Sequence, residues 1–552
     1  MTNSSVTNVA DLRASVEDLM FEGKVLRQAG ILAPMRPDKA VRVGSTFLRW
    51  GASPATGIAT AAIHHPHEIA VIDERGSLSF ERLHRRSNAL AHSLEAMGIG
   101  HGDGIGIMCR NHRGFLEVTL AAAKIGASAL YLNTMFAGPQ LVEVTRREGP
   151  KALVFDEEFA ELLDGVDDSV ARIVAWTDGE DRPAGTPSLE QLIAAGEDSD
   201  LKPPPDKPRF VILTSGTTGT PKGAQRSSPD GLFTVAALID KIPFRSRQTM
   251  MIAAPLFHSW GFFHFVMSLP TASTMVLRRR FDPEETLRAT QRSRADVLAA
   301  VPVMIQRILA LPDEVLASYD LSSLRITSLS GSALPGELAI EWMDRFGDSV
   351  YNLYGSTEVA YATVATPEDL RAAPGTAGRP PRGTVVRLFD DAGKEVPPGE
   401  VGRIFVGNEM SFEGYTGGGG KEAIDGLLSS GDVGHFDSAG RLFIDGRDDE
   451  MIVSGGENVF PREVEDLLAD LDGVVEVAVI GVDDPEFGQR LKAFVVLEDG
   501  AALEATHLNA HVKVNLASYK MPREIEFLDE LPRNATGKVL KRELRGGEYK
   551  TA

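Results

Sequence analysis

From about residue 68 to 380, short apolar runs alternate with longer amphipathic stretches, and this rhythm limits the chain to layered α/β architectures. Residues 69–72, 104–108 and 128–132 are short and rich in β-branched or aliphatic side chains, while 80–97 and 115–125 carry apolar residues at helical spacing. A strand buried on both faces needs helices on both sides, so the pattern predicts mainly parallel sheets built from βαβ units. Between about 380 and 445 the punctuation changes. Turn pairs such as Pro397-Pro398-Gly399 and Ala439-Gly440 recur closely between short strands, as in a small antiparallel β unit. After about residue 448 the texture is that of a compact α+β portion. The expected fold class is therefore α/β. It comprises a large N-terminal domain (1–447) of two βαβ-type subdomains plus an antiparallel β unit, and a smaller α+β C-terminal domain (448–552).

A chain of 552 residues exceeds one compact core. Its formal net charge of −21 argues against non-specific nucleic-acid binding, which is driven by Lys and Arg on phosphates. A small polyanion needs only a local positive pocket. Cys109 is the only cysteine, which excludes an internal disulfide and a cysteine-cluster metal site and fits a reducing, cytoplasmic compartment. The N-terminus lacks the pattern of a secretory signal, and no apolar run of transmembrane length occurs. Val9, Leu12, Val16, Leu19 and Met20 fall at helical spacing, and this stripe is expected to dock on the body of the protein because acidic residues intersperse it. The glycine-rich stretch from Gly98 to Gly106 follows a helix and precedes a strand, the reverse of a dinucleotide fingerprint, and reads as a helix cap and turn.

Residues 213–223 read Leu-Thr-Ser-Gly-Thr-Thr-Gly-Thr-Pro-Lys-Gly and follow a strand-like run. Glycines let backbone N–H groups approach an anion, while Thr214, Ser215, Thr217, Thr218 and Lys222 add hydroxyl donors and one charge. The common nucleotide P-loop needs Gly-Lys-Ser/Thr. Here Pro221 precedes the lysine and Gly223 follows it, so this is a phosphate loop of another kind.

Four further stretches add to it: Tyr354-Gly-Ser-Thr-Glu358, Ser430-Gly-Asp432, the run Gly446–Glu465 containing Ser454-Gly-Gly-Glu-Asn458, and Pro532-Arg-Asn-Ala-Thr-Gly-Lys538. In order and spacing, the five together closely resemble the adenylate-forming (AMP-binding) superfamily, specifically the acyl-CoA synthetases, over about residues 50–545. That resemblance implies ATP-dependent activation of a small-molecule carboxylic acid to acyl-AMP with release of pyrophosphate, then transfer to CoA. It implies that the loop residues Thr214, Ser215, Gly216, Thr217, Thr218, Gly219 and Lys222 hold the β- and γ-phosphates. Glu358 would hold Mg2+, Thr357 would meet the α-phosphate, and Tyr354 with Gly355, Asn352, Gly331, Ser332 and Ala333 would enclose adenine. Asp432 would accept from the ribose hydroxyls, with Arg447 beside it. Lys538, with Glu358, Thr218 and His258, forms the expected catalytic group. Asp449 would be the hinge of a mobile C-terminal domain, and Ser454, Gly455, Gly456 and Glu457 would line the CoA channel.

The acid is less constrained. His258 stands where amino-acid-activating relatives carry an aspartate, which disfavours an α-amino acid. His258, Trp260 and Gly261 are expected at the acyl substrate, and the apolar stretches 261–269 and 301–305 suit either a fatty chain or the core. A medium- to long-chain fatty acid is the main expectation. An aryl-acid CoA ligase and an acyl-AMP ligase loading a carrier-protein thiol are the alternatives. Two departures from the family pattern, Leu427 and the Gly417–Gly420 run, leave the ribose-pocket packing open. A non-catalytic nucleotide-binding module is disfavoured by intact Lys222, Glu358, Asp432, Arg447 and Lys538. The expected partners are the acid, ATP and CoA, with no nucleic acid; peripheral membrane contact and a homo-oligomer stay open.

Overall fold

The computed structural model describes residues 9–179, 185–205, 209–214, 222–226, 231–410, 412–416, 418, 420–448, 452–454, 457–459, 461–484, 488–516, 520–534, 537–547 and 549. Two large sheets form the body. One has eight strands, in the spatial order 363–365, 350–354, 326–329, 297–300, 249–252, 274–277, 69–73 and 76–79. Its six central strands run parallel, and an antiparallel strand closes each edge. The second has seven strands, with parallel strands 210–214, 128–131, 104–108, 152–156 and 171–176 extended by antiparallel 222–226 and 412–415. Helices such as Phe80–Ala96 and Arg113–Ile125 cover these sheets, and one core cluster runs through both. The parallel layers expected from the alternation are present. The strand Ile69–Asp73 pairs antiparallel with the strand that follows it and, on its other side, parallel with Thr274–Leu277 across two hundred residues.

The antiparallel unit consists of Val385–Phe389, Gly402–Gly407, Ala423–Ile424, Leu427–Phe436 and Leu442–Arg447, with its own small core around Ile404, Val406 and Leu442. The C-terminal domain has a separate sheet built on the long hairpin Val474–Asp484 and Gly488–Leu497, covered by helices Pro461–Ala469 and Ala505–Asn515. Near the C-terminus, Arg533 pairs with Glu476 and Lys541 with Glu465. No helix among the described residues is long and apolar enough to cross a membrane.

Three helices precede the first strand: α1 (Val9–Gln28), α2 (Pro37–Trp50) and α3 (Pro54–His64). In α1 the expected contact stripe is displaced. Val16, Leu19 and Met20 point to solvent, whereas Val25, Leu26 and Ala29 are buried and Phe21 packs on Phe233 with ring centroids 6.0 Å apart. A helix with apolar residues all round its circumference offers more than one stripe at a 3.6-residue period, and the partner helix Phe233–Lys241 selects among them.

The single cysteine lies in a buried group with His112 and Asp156. That group is internally satisfied: His112 Nδ1 accepts from the Gly114 N–H, and its Nε2 lies 2.7 Å from Asp156 Oδ1. Both ring nitrogens are used, so the trio is a packing network.

Candidate active site

Parallel strands present their carboxyl ends at one edge, and loops leaving that edge are where open α/β sheets bind ligands. Four loops of the eight-stranded sheet converge in this way on one cavity of about 1120 Å³. They leave strands Thr249–Ile252, Val297–Ala300, Ile326–Leu329 and Val350–Tyr354, and they carry His258, Val301, the segment Ser330–Leu334, and Tyr354–Glu358. Gly331, Ser332, Ala333, Asn352, Tyr354, Gly355, Thr357 and Glu358, predicted together from sequence, all line this cavity. The Asn352 Oδ1 is buried with no hydrogen-bond partner among the described residues, which leaves an acceptor facing a site for a donor.

The antiparallel unit supplies the opposite wall. Strand register puts Asp432 directly across from Arg447, and the Arg447 Nη1 lies 3.3 Å from Asp432 Oδ1. The Tyr354 hydroxyl donates to Asp432 Oδ2 at 2.6 Å, tying the two sheets together. Burial pushes the Asp432 carboxyl up, opposed by Arg447, Tyr354, Lys538 and Lys421. Burial also holds the Tyr354 phenol well above its ordinary value, with Asp432 reinforcing it. Glu358 accepts from the Tyr415 hydroxyl at 2.8 Å and from the Ser356 hydroxyl at 3.0 Å. Its oxygens are thereby oriented on the cavity wall, and they are the hard ligands Mg2+ prefers.

The C-terminal domain reaches the same cavity through Asn534, Gly537 and Lys538. Gly537 has φ +78, and a Cβ there would lie 2.2 Å from Val303 Cγ1. Only glycine allows this loop to seat on the helix Pro302–Leu309. Lys538 itself is solvent-exposed and close enough to lower the Asp432 carboxyl by its charge.

A mostly apolar arm extends from this polar end. The helix Ser259–Ser268 begins at His258 and lines the arm with Trp260, Phe262, Phe263, Val266 and Met267. Its far wall comes from Gly57, Thr60 and Ala61 of α3, Val43 and Phe47 of α2, and Leu32 and Met35 before α2. Burial pushes the His258 imidazole down to about 4, so the ring is neutral near pH 7, and its Nε2 has no partner among the described residues. Gly261 is not on the cavity wall as expected. It is buried against the preceding loop, where a Cβ would lie 2.3 Å from the Pro255 carbonyl oxygen. It permits close packing of the helix, and its neighbours Trp260 and Phe262 form the wall.

Some expected residues fall outside the described residues: Ser215, Gly216, Thr217, Thr218 and Gly219 of the phosphate loop, the hinge Asp449, and Gly455 and Gly456. The strands flanking both glycine-rich segments pair antiparallel, Thr214 with Lys222 and Ser454 with Glu457. Sequence reasoning missed Lys421, which lines the cavity beside Gly431 and acts on Asp432. The available signal was a lysine closing a four-glycine run two turns of chain before Asp432. It also missed the contribution of α2 and α3.

Comparison with known proteins accords with this geometry. The family model described as AMP-binding enzyme matches residues 58–416, and that of the AMP-binding enzyme C-terminal domain matches residues 463–538. A feruloyl-CoA synthase from an Amycolatopsis species is 35% identical over 489 residues, covering 87% of this chain and 96% of the relative. An indoleacetate–CoA ligase from Aromatoleum aromaticum is 33% identical over 490 residues, covering 87% and 95% respectively. Among solved structures, the anthranilate CoA ligase AuaEII in complex with anthranoyl-AMP superposes with a TM-score of 0.82 at 26% identity, covering 90% of this chain and 96% of that one.

Proposed function

The chain belongs to the AMP-binding enzymes, a family of AMP-forming acid–thiol ligases, and from that premise we propose that it converts an apolar, preferentially aromatic carboxylic acid to its CoA thioester through an acyl-AMP. The supporting observation is one continuous cavity whose polar end gathers Glu358, Asp432, Arg447 and Lys538 and whose arm is mostly apolar.

In the first half-reaction a carboxylate oxygen attacks the α-phosphorus of ATP and the bond to pyrophosphate breaks. Both reactants are anions, so fixed cations lower the barrier more than any proton transfer would. Lys538 bridges carboxylate and α-phosphate as charge shifts between them. Arg447 and Lys421 raise the local potential, and Asp432 accepts from the ribose hydroxyls. The phosphate loop, 213–223, orients the leaving group. Glu358 would hold Mg2+, which neutralises phosphate charge when bound. In the second half-reaction the CoA sulfur attacks the acyl carbon and AMP leaves. The exchange of Lys538 for the segment Ser454–Glu457, with a hinge at Asp449, presents a new surface to the same carbonyl. His258, neutral and unpaired at Nε2, offers a hydrogen bond at the junction of carboxylate and arm.

The aromatic-acid reading, an alternative at the level of sequence, draws support from the feruloyl and indoleacetate relatives and from the aromatic walls Trp260, Phe262 and Phe263. The fatty-acid reading draws on depth. The ten-residue helix from Ser259 to Ser268 spans about 15 Å, and Leu269 just beyond it meets Gly57 at the far wall. About a dozen bonds of extended chain fit that length at ~1.2 Å per bond. Pyrophosphate release across a panel of aromatic, fatty and amino acids, with CoA present or absent, separates the readings. Turnover of fatty acids alone would overturn the aromatic preference, and CoA-independent turnover would point to another thiol acceptor.

A further inference from the structure

Helix α2 buries only part of its apolar surface. Lys39, Val43, Thr46 and Trp50 occupy the face toward the body, at i, i+4, i+7 and i+11. The opposite face holds Val41, Gly44 and Leu48, flanked by Ala40 and Phe47. Val41 is 74% exposed and Leu48 91% exposed. A surface helix ordinarily hides its apolar residues, so the exposure of Val41 and Leu48 stands out. Just upstream, Leu32 and Met35 are exposed as well.

Two other observations concern the same patch. Phe47, Met35 and Leu32 also line the apolar arm, so the rim of the acid cavity adjoins the exposed face. The charge of this stretch of sequence is opposite to that of the chain. From Lys24 to Arg49 there are six basic residues (Lys24, Arg27, Arg36, Lys39, Arg42 and Arg49) against one acid, Asp38, in a protein of net charge −21. Arg36 pairs with Asp38 and Arg49 with Asp200, both on the surface, and Arg42 is exposed on the same helix. A basic flank beside exposed Leu, Val and Phe matches the boundary between lipid phosphates and acyl chains, where such helices lie in the plane of a membrane.

We propose that α2 is a membrane-contact element that holds the mouth of the acid arm against an anionic bilayer, so that an apolar acid enters from the lipid phase. The route of entry rests on the reading of the arm as an apolar-acid site; the contact itself does not. The helix is 14 residues, about 21 Å long, enough to lie along the interface but not to cross it.

The test is co-sedimentation of the full chain with vesicles of phosphatidylcholine alone or mixed with phosphatidylglycerol, at low and high salt. The expected result is partition to the anionic vesicles only, weakened by salt. The double variant V41E/L48E should partition at least tenfold less, the order expected from removing two aliphatic side chains from the interface. Neither residue lines the cavity, so pyrophosphate release from the best water-soluble acid should be unchanged, whereas turnover of an acid supplied within vesicles should fall. Three outcomes overturn the proposal: no sedimentation with any vesicle, partition that V41E/L48E leaves intact, or light scattering that shows a dimer which V41E/L48E dissociates. The last would assign the face to a second copy of the chain. Partition without turnover of any apolar acid would instead remove the functional reading and leave the contact standing.

Discussion

The polar and apolar ends of the cavity are assembled by different physics. At the nucleotide end, each group is placed by its own short segment. Strand register sets Asp432 opposite Arg447, the loop after one strand carries Tyr354 through Glu358, and hydrogen bonds among them fix the side chains. In the acid arm no segment is sufficient. Its walls come from α2, α3 and the helix Ser259–Ser268; α2 and that helix are more than two hundred residues apart in sequence, and the strand after α3 pairs with Thr274–Leu277 just beyond the helix. In the proposed reaction, chemistry shared by every substrate is thus encoded locally, whereas selection among substrates is encoded in long-range packing. If that contrast holds, substitutions at the polar end should change rate for every acid alike, and substitutions in the arm should change the ranking of acids.

The largest effect expected is for Lys538→Ala, a loss of about 10²–10³ in acyl-AMP formation for all acids, the cost of one preorganised donor to developing charge. Preformed acyl-AMP should still react with CoA. Rapid-quench assays of each half-reaction check this, and equal loss in both would break the assignment.

A second test concerns acid stability. Burial pushes His264, on the arm helix, down to about 4, and does the same to His258 and to His84, where Lys124 adds to it. The imidazoles are neutral in the fold, and the unfolded chain takes up protons below about 6.5. Their contribution is therefore complete above pH 6.5 and is lost as pH falls toward 4, on the order of 3 kcal/mol for fully buried His264. Denaturant titrations from pH 7.5 to 4.5 should show falling stability, with a shallower fall in His264→Gln. An unchanged slope in that variant would remove His264 from the account.

Next in size, Asp432→Asn should raise the KM for ATP by about ten- to a hundredfold. It removes the charge that faces Arg447 in a part-buried pair and weakens the acceptor offered to the ribose. The shift should be the same for every acid, as steady-state kinetics with two unlike acids would show. The smallest effect belongs to the arm. Val266→Trp should discriminate against longer acids by about fourfold for each methylene excluded, from ~0.8 kcal/mol per buried methylene. A uniform loss across all lengths would place Val266 outside the substrate path.

The same division governs what could be read before the fold was known. Tyr354, Glu358, Asp432 and Lys538 stand in contiguous motifs, and all four meet in the cavity. Gly261 stands in an equally suggestive stretch, yet its missing side chain accommodates the Pro255 carbonyl rather than a substrate. Periodicity identified α1 as a helix but selected its Val16–Leu19–Met20 face for the interior, because a one-dimensional pattern cannot name the helix that will pack against it. Lys421 escaped notice for a related reason: its partner Asp432 is reached only through the fold of the intervening hairpin. The apolar face of α2 was equally invisible, since exposure belongs to the packed molecule.

The pairing of Asp432 with Arg447 has a further implication. Both belong to the antiparallel unit attached to the large body, and Arg447 is the last residue of its strand. If the chain pivots just beyond it, everything that grips the sugar stays behind while Lys538 swings away. The reactive mixed anhydride would then never need to be handed over: the intermediate waits in place, and the protein changes the reagent that faces it.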